Sequence, residues 1–219
     1  MVTRTVFRGG DTGSSWDAAE AALARQDGST ALNIFSNLAE KGEWLAYVEV
    51  GNLLELAPPG VQRDIDGAMR WYRKAIFESD DPNAHFALAR LYWNGTDIPT
   101  DYVKAHQHAQ KALAAREPYR LAEHYRPMAY VMLGSMYSNG LGVIADIEKA
   151  RAVLREGAGE GFVWPIFELS KLELKCWHIF ESIRLRFRAS RIAGQLLATD
   201  PNDVRLVGAN VRPGKNQWD

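Results

Sequence analysis

The chain has 219 residues, of which 47% are hydrophobic, and its 26 lysines and arginines nearly balance 27 aspartates and glutamates to leave a net charge of −1. This composition is ample for a folded core, and it gives no global attraction to nucleic acid or to acidic membranes. The single cysteine, Cys176, excludes an internal disulfide, and no apolar run approaches the roughly 18 residues that span a bilayer. Since residues 1–15 also lack the apolar run of a secretory signal, we expect a cytoplasmic protein that is neither exported nor embedded.

The first predicted elements lie upstream of residue 42. A flexible segment, residues 1–15, precedes a helical stretch from Trp16 to Arg25, and Ser14 with Asp17 resembles a helix-start signal. Asp27 then starts a second helical pattern. Counted from Asp27, the residues at positions three, four, seven, eight and eleven are Thr30, Ala31, Ile34, Phe35 and Leu38. These two segments predict one pair of helices.

Residues 43–158 repeat a two-part pattern three times. The first part starts at an alanine, with an aliphatic residue four positions on and a leucine or tyrosine eight positions on: Ala46, Val50 and Leu54; Ala84, Leu88 and Tyr92; Ala129, Leu133 and Tyr137. The second part starts at an aspartate and has an alanine four positions on: Asp64 and Ala68; Asp101 and Ala105; Asp146 and Ala150. Repeats of this length are typical of stacked helical pairs.

The stretch DGAMRWYRKA, residues 66–75, shows the physical basis of the pattern. Steps of three, four, seven, eight and eleven mark one face of an α-helix, so the adjacent Trp71 and Tyr72 are expected to fill the space that small residues leave for a neighbouring backbone. Each leading aspartate is predicted to cap its helix, and Gly95 and Gly140 suit a left-handed turn after the preceding helix. The predicted unit is therefore helix, loop, helix.

The repeat spacing predicts the domain organisation of an all-α protein. We expect about four to five helix-turn-helix repeats, at residues 16–42, 43–80, 82–116 and 125–158, with a degenerate cap at 163–198 and a C-terminal tail at 199–219. An insertion at residues 116–124 lengthens the interval between the second and third anchors. Terminal repeats are expected to be atypical because they must face water.

The two-part pattern resembles the Sel-1-like repeat family, a relative of the tetratricopeptide repeats. The first two thirds of the family's pattern are carried by Ala129, Leu133, Gly134, Tyr137, Gly140, Gly142, Val143, Asp146, Lys149 and Ala150, and its end by Trp71, Tyr72 and Ala75. Gly67 replaces a lysine of the pattern, and Asp97 replaces a glycine. The resemblance implies a right-handed α/α superhelical solenoid. Relatives with paired cysteines are linked to β-lactams, and a chain with one cysteine is not of that kind.

Helical-repeat proteins bind other proteins on extended concave surfaces. Helical-wheel positions opposite the packed face of the first helices are expected to line such a surface: Val48, Asn52, Glu55, Phe86, Arg90, Trp93, Val131 and Ser135. Exposed Phe86 and Trp93 with Arg90 between them are typical of an interface, and Asn52 with Arg90 is a candidate pair for a peptide carboxylate. The alternative is that the insertion, or the tail with its Trp218, covers the two aromatic rings within the chain.

A basic helix is predicted near the C-terminus. Residues 175–219 hold eight basic and four acidic residues, and Arg184, Arg188 and Arg191 fall on one helical stripe. One interpretation is a capping helix with a solvated polar stripe. The others are contact with an acidic partner protein, an anionic lipid or nucleic acid, although so short a cluster makes few phosphate contacts.

No catalytic, metal-binding or cofactor-binding pattern emerges from the remaining residues. The five histidines form no recognisable zinc set, and the glycines at 140–142 and 157–161 lack the strand and the Lys-Ser or Lys-Thr pair of a phosphate loop. The leading hypothesis is a non-catalytic bacterial scaffold or regulatory adaptor that binds a protein or peptide. The alternatives are an immunity or inhibitor protein that neutralises a toxin and, as a minor alternative, a hydrolase of cell-wall or β-lactam compounds.

Overall fold

The computed structural model describes residues 10–114, 125–201 and 203–206. This part of the chain forms ten α-helices and one short 3-10 helix, and it contains no β-strand. The α-helices are α1 (Gly10–Ala24), α2 (Gly28–Glu40), α3 (Trp44–Leu56), α4 (Ile65–Ser79), α5 (Pro82–Asn94), α6 (Tyr102–Ala114), α7 (Arg126–Asn139), α8 (Ile147–Gly159), α9 (Val163–Lys175) and α10 (Ile179–Thr199), and the 3-10 helix is Val204–Leu206. The insertion at 116–124 and Trp218 lie outside the described residues.

The chain divides into two compact units, Val2–His85 and Phe86–Asp219, and the boundary falls inside α5. In the N-terminal unit, α2 packs against α1 and α3, and α3 packs against α4. In the C-terminal unit, α7 packs against α6, α8 and α9, and α9 packs against α8 and α10. Within each unit, these helices therefore pack mainly against their neighbours along the chain, as in helical-repeat proteins.

The predicted aspartate caps are confirmed. In all four cases the carboxylate accepts a hydrogen bond from the backbone N–H three residues later: Asp27 from Thr30 at 3.1 Å, Asp64 from Gly67 at 2.8 Å, Asp101 from Lys104 at 3.0 Å and Asp146 from Lys149 at 2.9 Å. Each bond satisfies a backbone donor that the first turn of a helix leaves free. The same backbone bonds hold the pKa of Asp101 and of Asp146 below the usual range.

Glycines bring neighbouring helices close together. A Cβ atom at Gly51 in α3 would lie 2.5 Å from the ring of Tyr72 in α4, and one at Gly134 in α7 would lie 2.7 Å from the side chain of Leu154 in α8. Tyr72 is fully buried. The prediction that a large residue fills the space beside a small one is confirmed for Tyr72, which packs directly on the backbone of α3, whereas Trp71 is half-buried.

The start of α1 differs from the prediction. The helix begins at Gly10, so Ser14 and Asp17 lie inside it and the expected helix start at Ser14 is wrong. The ring of Trp16 packs edge-on against that of Phe35 in α2, with centroids 4.9 Å apart. Packing against α2 stabilises α1. The additional N-terminal turn extends a helix that has already formed, so it does not require a new nucleation step.

The loop inside one helical pair docks on the start of the second helix of the preceding pair. In the C-terminal unit, Gly142 has φ +71°, and a Cβ atom there would lie 2.3 Å from the backbone carbonyl of Tyr102 in α6. In the N-terminal unit, the Gly28 N–H at the start of α2 donates to the Pro59 carbonyl oxygen at 3.0 Å. Each loop thus links one pair of helices to the pair before it.

We expect Gly142→Ala to destabilise the protein more than Gly161→Ala. Both glycines have positive φ, at which an alanine costs roughly 1 to 2 kcal/mol, but a Cβ atom at Gly161 would meet only Arg205 at 3.7 Å. The clash of residue 142 with Tyr102 should add about 1 to 3 kcal/mol to the loss. Urea unfolding followed by circular dichroism measures both losses, and equal losses would show that the loop does not need its close approach to α6.

Candidate functional site

The predicted interface positions of the N-terminal unit are mostly occupied by internal contacts. Val48 and Glu55 are buried, which corrects the expectation that they are exposed, and Asn52 is half-buried. The buried Tyr72 hydroxyl lies 2.8 Å from Glu55 Oε2 and 2.9 Å from Asn52 Oδ1. Glu55 and Asn52 therefore complete a polar network around Tyr72, since a buried carboxylate needs hydrogen-bond donors.

The aromatic pair predicted to be exposed in α5 is buried. Phe86 and Trp93 are each 1% exposed, so the expectation of exposed rings is wrong. The ring of Phe86 stacks on that of Tyr125 at 5.2 Å between centroids, and the ring of Trp93 meets that of Tyr102 edge-on at 5.3 Å. Both belong to one core cluster that also contains Ala89.

The spacing in the sequence is compatible with this burial but does not decide it. Phe86, Ala89 and Trp93 recur at steps of three and seven, which is the spacing of a core-facing stripe. A helical wheel drawn for one helix predicts a single buried face. The first helix of a pair, however, packs against neighbouring helices on more than one side. Tyr125, which covers Phe86, directly follows the insertion in sequence.

The first helix of the next pair is buried on nearly all sides. In α7 every residue from Pro127 to Gly134 is buried, Val131 included, so the expectation that Val131 is exposed is also wrong. Ser135 is half-buried, as is Arg90 in α5. Of the eight predicted interface residues, Asn52, Arg90 and Ser135 therefore keep accessible surface, and their role in binding stays a prediction.

Ser135 lines a groove between α7 and α9. The groove has a volume of about 180 Å³ and is lined by Gly134, Ser135, Ser138, Asn139, Leu154, Glu168, Lys171, Leu172 and Lys175. The α7 wall carries the small polar side chains of Ser135, Ser138 and Asn139. The α9 wall carries the longer charged side chains. We name this the α7/α9 groove.

The polar groups of the α7/α9 groove are partly engaged already. Ser138 Oγ and Asn139 Nδ2 both donate to the Ser135 carbonyl oxygen, at 3.1 and 2.9 Å, which satisfies the C-terminal end of α7. Lys171 Nζ lies 2.6 Å from Glu168 Oε1. Lys175, in the last turn of α9, is exposed. The groove therefore offers hydroxyl and ammonium donors to an electronegative group.

The three predicted arginines line a second groove, on α10. It has a volume of about 520 Å³ and is lined by Arg184, Leu185, Phe187, Arg188 and Arg191. Arg184 pairs with Glu181 at 2.7 Å, and Arg188 donates to the Ala158 carbonyl oxygen at 3.1 Å, near the C-terminal end of α8. The structure thus brings the arginines together, and their contact with an acidic partner stays a prediction.

A buried ion cluster joins α8 and α9 to the start of α10. Arg151 Nε donates to Glu173 Oε1 at 2.7 Å, and His178 Nδ1 lies 2.7 Å from Glu173 Oε2. Burial alone would raise the pKa of Glu173, but the hydrogen bonds from Arg151 and His178 outweigh it and lower the pKa below the usual value. The cluster therefore holds Glu173 ionised and anchors the turn before α10.

Within residues 10–114, 125–201 and 203–206, no three His, Cys, Asp or Glu side chains are grouped to hold a metal ion. None of the helices in that part of the chain is both long and apolar enough to cross a bilayer.

Capped helical pairs, close helix approach at glycines and loops docked on the preceding pair define an α/α helical-repeat protein. The Sel1 repeat model matches residues 44–76, 82–115 and 127–156. These three segments of the chain are therefore Sel1 repeats, and the resemblance seen in the sequence is confirmed. Sel1 repeats generally act as scaffolds for protein–protein interaction and are typically non-catalytic.

One curated protein and two solved structures illustrate what the chain is similar to. An uncharacterized protein of Neisseria meningitidis serogroup B, NMB1327, is 33% identical over 135 residues, which are 62% of this chain and 26% of the relative. The chain thus spans about a quarter of the length of that relative. A Sel1 repeat protein from Oxalobacter formigenes matches with a TM-score of 0.67 at 23% identity over 89% of this chain and 84% of that chain. The MamA protein matches with a TM-score of 0.54 at 14% identity over 86% and 95%. Both structures show the solenoid fold.

We expect Tyr72→Phe to destabilise the protein by about 1 to 3 kcal/mol, because it removes a hydroxyl from the buried Glu55 carboxylate. Tyr137→Phe is the matched control, since its hydroxyl contacts His106 and the exposed Gln110 and its loss should cost less. Thermal unfolding gives both values. Equal losses would argue against a structural role for Glu55.

The Glu173 cluster predicts a specific loss of stability in acid. A carboxyl whose pKa is lower in the folded state contributes stability above its unfolded pKa, near 4.5, and that contribution disappears as the pH falls through the folded pKa. Glu173→Gln lacks this titration. The melting temperature of wild type should therefore approach that of Glu173→Gln as the pH falls from 7 to below about 4.5. A gap that stays constant would show that Glu173 is not held ionised by the cluster.

Proposed function

We propose that this protein is a scaffold or regulatory adaptor that binds a segment of another protein in the α7/α9 groove. The observation that supports this most is the contrast between the two walls, with small polar residues on α7 and lysines on α9. Helical-repeat proteins bind partners along their first helices, and here the first helices α7 and α9 form the walls.

The size of the α7/α9 groove favours a protein segment over a small metabolite. Its volume of about 180 Å³ is below the roughly 300 to 1,000 Å³ of a typical small-molecule site, so it suits one or two side chains of a longer ligand. The Ser135 hydroxyl and the Lys175 ammonium are suited to hold a carboxylate of that segment. Arg90, on the first helix α5 and in the same unit, remains a candidate contact elsewhere on the partner.

The chemistry of the groove supports binding without catalysis. A nucleophilic serine requires a base within hydrogen-bond reach. The Ser135 hydroxyl accepts a hydrogen bond from the amide Nδ2 of Asn139 at 3.4 Å, and an amide is not a base. A hydrolase role therefore finds no support at this serine.

An adaptor and an immunity protein would use this groove in the same way and differ in the partner that they bind. An adaptor binds a normal cellular protein, whereas an immunity protein binds a toxin. Co-expression of this chain with the captured partner separates the two roles, because rescue of growth from a toxic partner identifies an immunity protein. We propose the adaptor role as the default, cytoplasmic and bacterial.

Photo-crosslinking tests the proposal. We expect p-benzoylphenylalanine at Ser135 in the full-length chain, produced in its native host, to crosslink one main protein, and the same group at the exposed Ile144 to give no such product. Lys175→Glu should reduce the product by about tenfold, since loss of a charge pair at an interface costs roughly 1.5 kcal/mol or more.

Lys111→Glu is the control for Lys175→Glu. Lys111 also lies in the last turn of its helix, α6, and outside the groove, so the change in net charge and in helix-end electrostatics is the same. A product that is equally strong from positions 135 and 144, or one that Lys111→Glu weakens as much as Lys175→Glu, would show that the groove is not the binding site.

A further inference from the structure

Exposed apolar side chains are concentrated at one end of the C-terminal unit. Eleven large hydrophobic residues are exposed in the described part of the chain, and seven of them lie between residues 174 and 197: Leu174, Trp177, Ile179, Phe180, Ile183, Phe187 and Leu197. Isolated exposed apolar residues are ordinary on protein surfaces, whereas a cluster of this size marks an interaction surface.

The cluster is ordered on α10. The inner face of the helix buries Leu185, Ala189 and Leu196 in the core cluster that α9 shares. Phe180 and Phe187, which are 91% and 74% exposed, lie seven residues apart and so at the centre of the opposite face. Ile183 flanks them on one side, and the arginine stripe of the α10 groove flanks them on the other. We name this outward surface, with Trp177, the α10 face.

The other second helices of the C-terminal unit present a different surface to solvent. The exposed positions of α6 and α8 are mainly charged or amide residues: Lys104, Gln107, Gln110, Lys111, Glu148, Lys149, Arg155 and Glu156. No stability is gained by placing two phenylalanines in water, so their position on α10 requires another explanation.

Trp177 supplies an independent indication. It follows the last turn of α9 with φ +62°, a left-handed conformation in which glycine is the usual residue. Its side chain is 85% exposed, so the tryptophan gains little packing within the chain in return for the unfavourable backbone. A bulky aromatic ring held in this way is suited to be an anchor for a partner.

The charge of the α10 face defines the chemistry of that partner. Helix α10 carries four arginines and one glutamate, and three of the arginines line its groove with Phe187. We propose that the α10 face docks an acidic amphipathic helix of another protein. Its apolar side chains would pack on Phe180 and Phe187, and its carboxylates would pair with Arg184 and Arg191. Two helices pack through such ridges and grooves, and arginine pairs carboxylates in bidentate geometry.

The same observations disfavour the other occupants. A second copy packed α10 to α10 would bring two rows of arginines together. Residues 207–219 of this chain carry Arg212 and Lys215 against Asp219, so they do not complement a basic face. A bilayer contacts a flat or convex surface, whereas the arginines here line a groove of about 520 Å³ that admits inserted side chains.

The test uses two labelled synthetic peptides of equal length with the same leucine stripe, one with glutamates and one with lysines on its polar face. Fluorescence anisotropy with the full chain should show binding of the glutamate peptide alone. Arg191→Glu should weaken that binding by about tenfold or more, and Phe187→Ala by about fivefold or more. Arg186→Glu is the control, because Arg186 is an exposed arginine of the same helix outside the groove, and we expect it to change affinity by less than about twofold.

Four outcomes would overturn the proposal: no binding of the glutamate peptide, equal binding of the lysine peptide, equal losses from Arg186→Glu and Arg191→Glu, or sedimentation of the chain with phosphatidylglycerol vesicles in place of peptide binding. Circular dichroism of each variant verifies folding, and both arginines are exposed.

The proposal is independent of the α7/α9 groove. Lys175→Glu should leave peptide binding unchanged, so the two proposals can fail separately.

Discussion

The structure depends on the packing of bulky side chains directly against the backbone of a neighbouring helix. Tyr72 occupies the space at Gly51, Leu154 that at Gly134, and Tyr130 that at Gly157. A Cβ atom at any of these glycines would lie within 3 Å of the packed side chain, so the helices approach closely only because the glycines are there. This close approach sets the distance between the two helices of a pair.

Close packing also limits the surface that is accessible to a partner. A first helix that contacts several neighbours buries most of its circumference, as α7 does, and keeps few positions for recognition. Accessible chemistry then remains in the narrow groove between successive first helices and on the outward side of α10. The two surfaces differ in character, since the first is small and polar and the second is aromatic and basic.

Buried polar groups specify how the helices are arranged within each unit. Glu55 and Tyr72 meet between α3 and α4, and Glu173 meets Arg151 and His178 between α8, α9 and the turn before α10. Each group needs its partner because an unpaired buried charge is costly. A shift of one helix along the other would separate these atoms, so the polar contacts favour one alignment where apolar packing alone would tolerate several.

The sequence alone determined the helical pairs and the four aspartate caps, because each depends on residues a few positions apart and on helical period. It also placed Arg184, Arg188 and Arg191 on one stripe. Only the tertiary structure decided which aromatic residues face water. Phe86 and Trp93 are buried while Phe180 and Phe187 are exposed, although all four lie on helical stripes with the same seven-residue spacing. Burial depends on which helices pack on each side, and the period of a single helix does not contain that information.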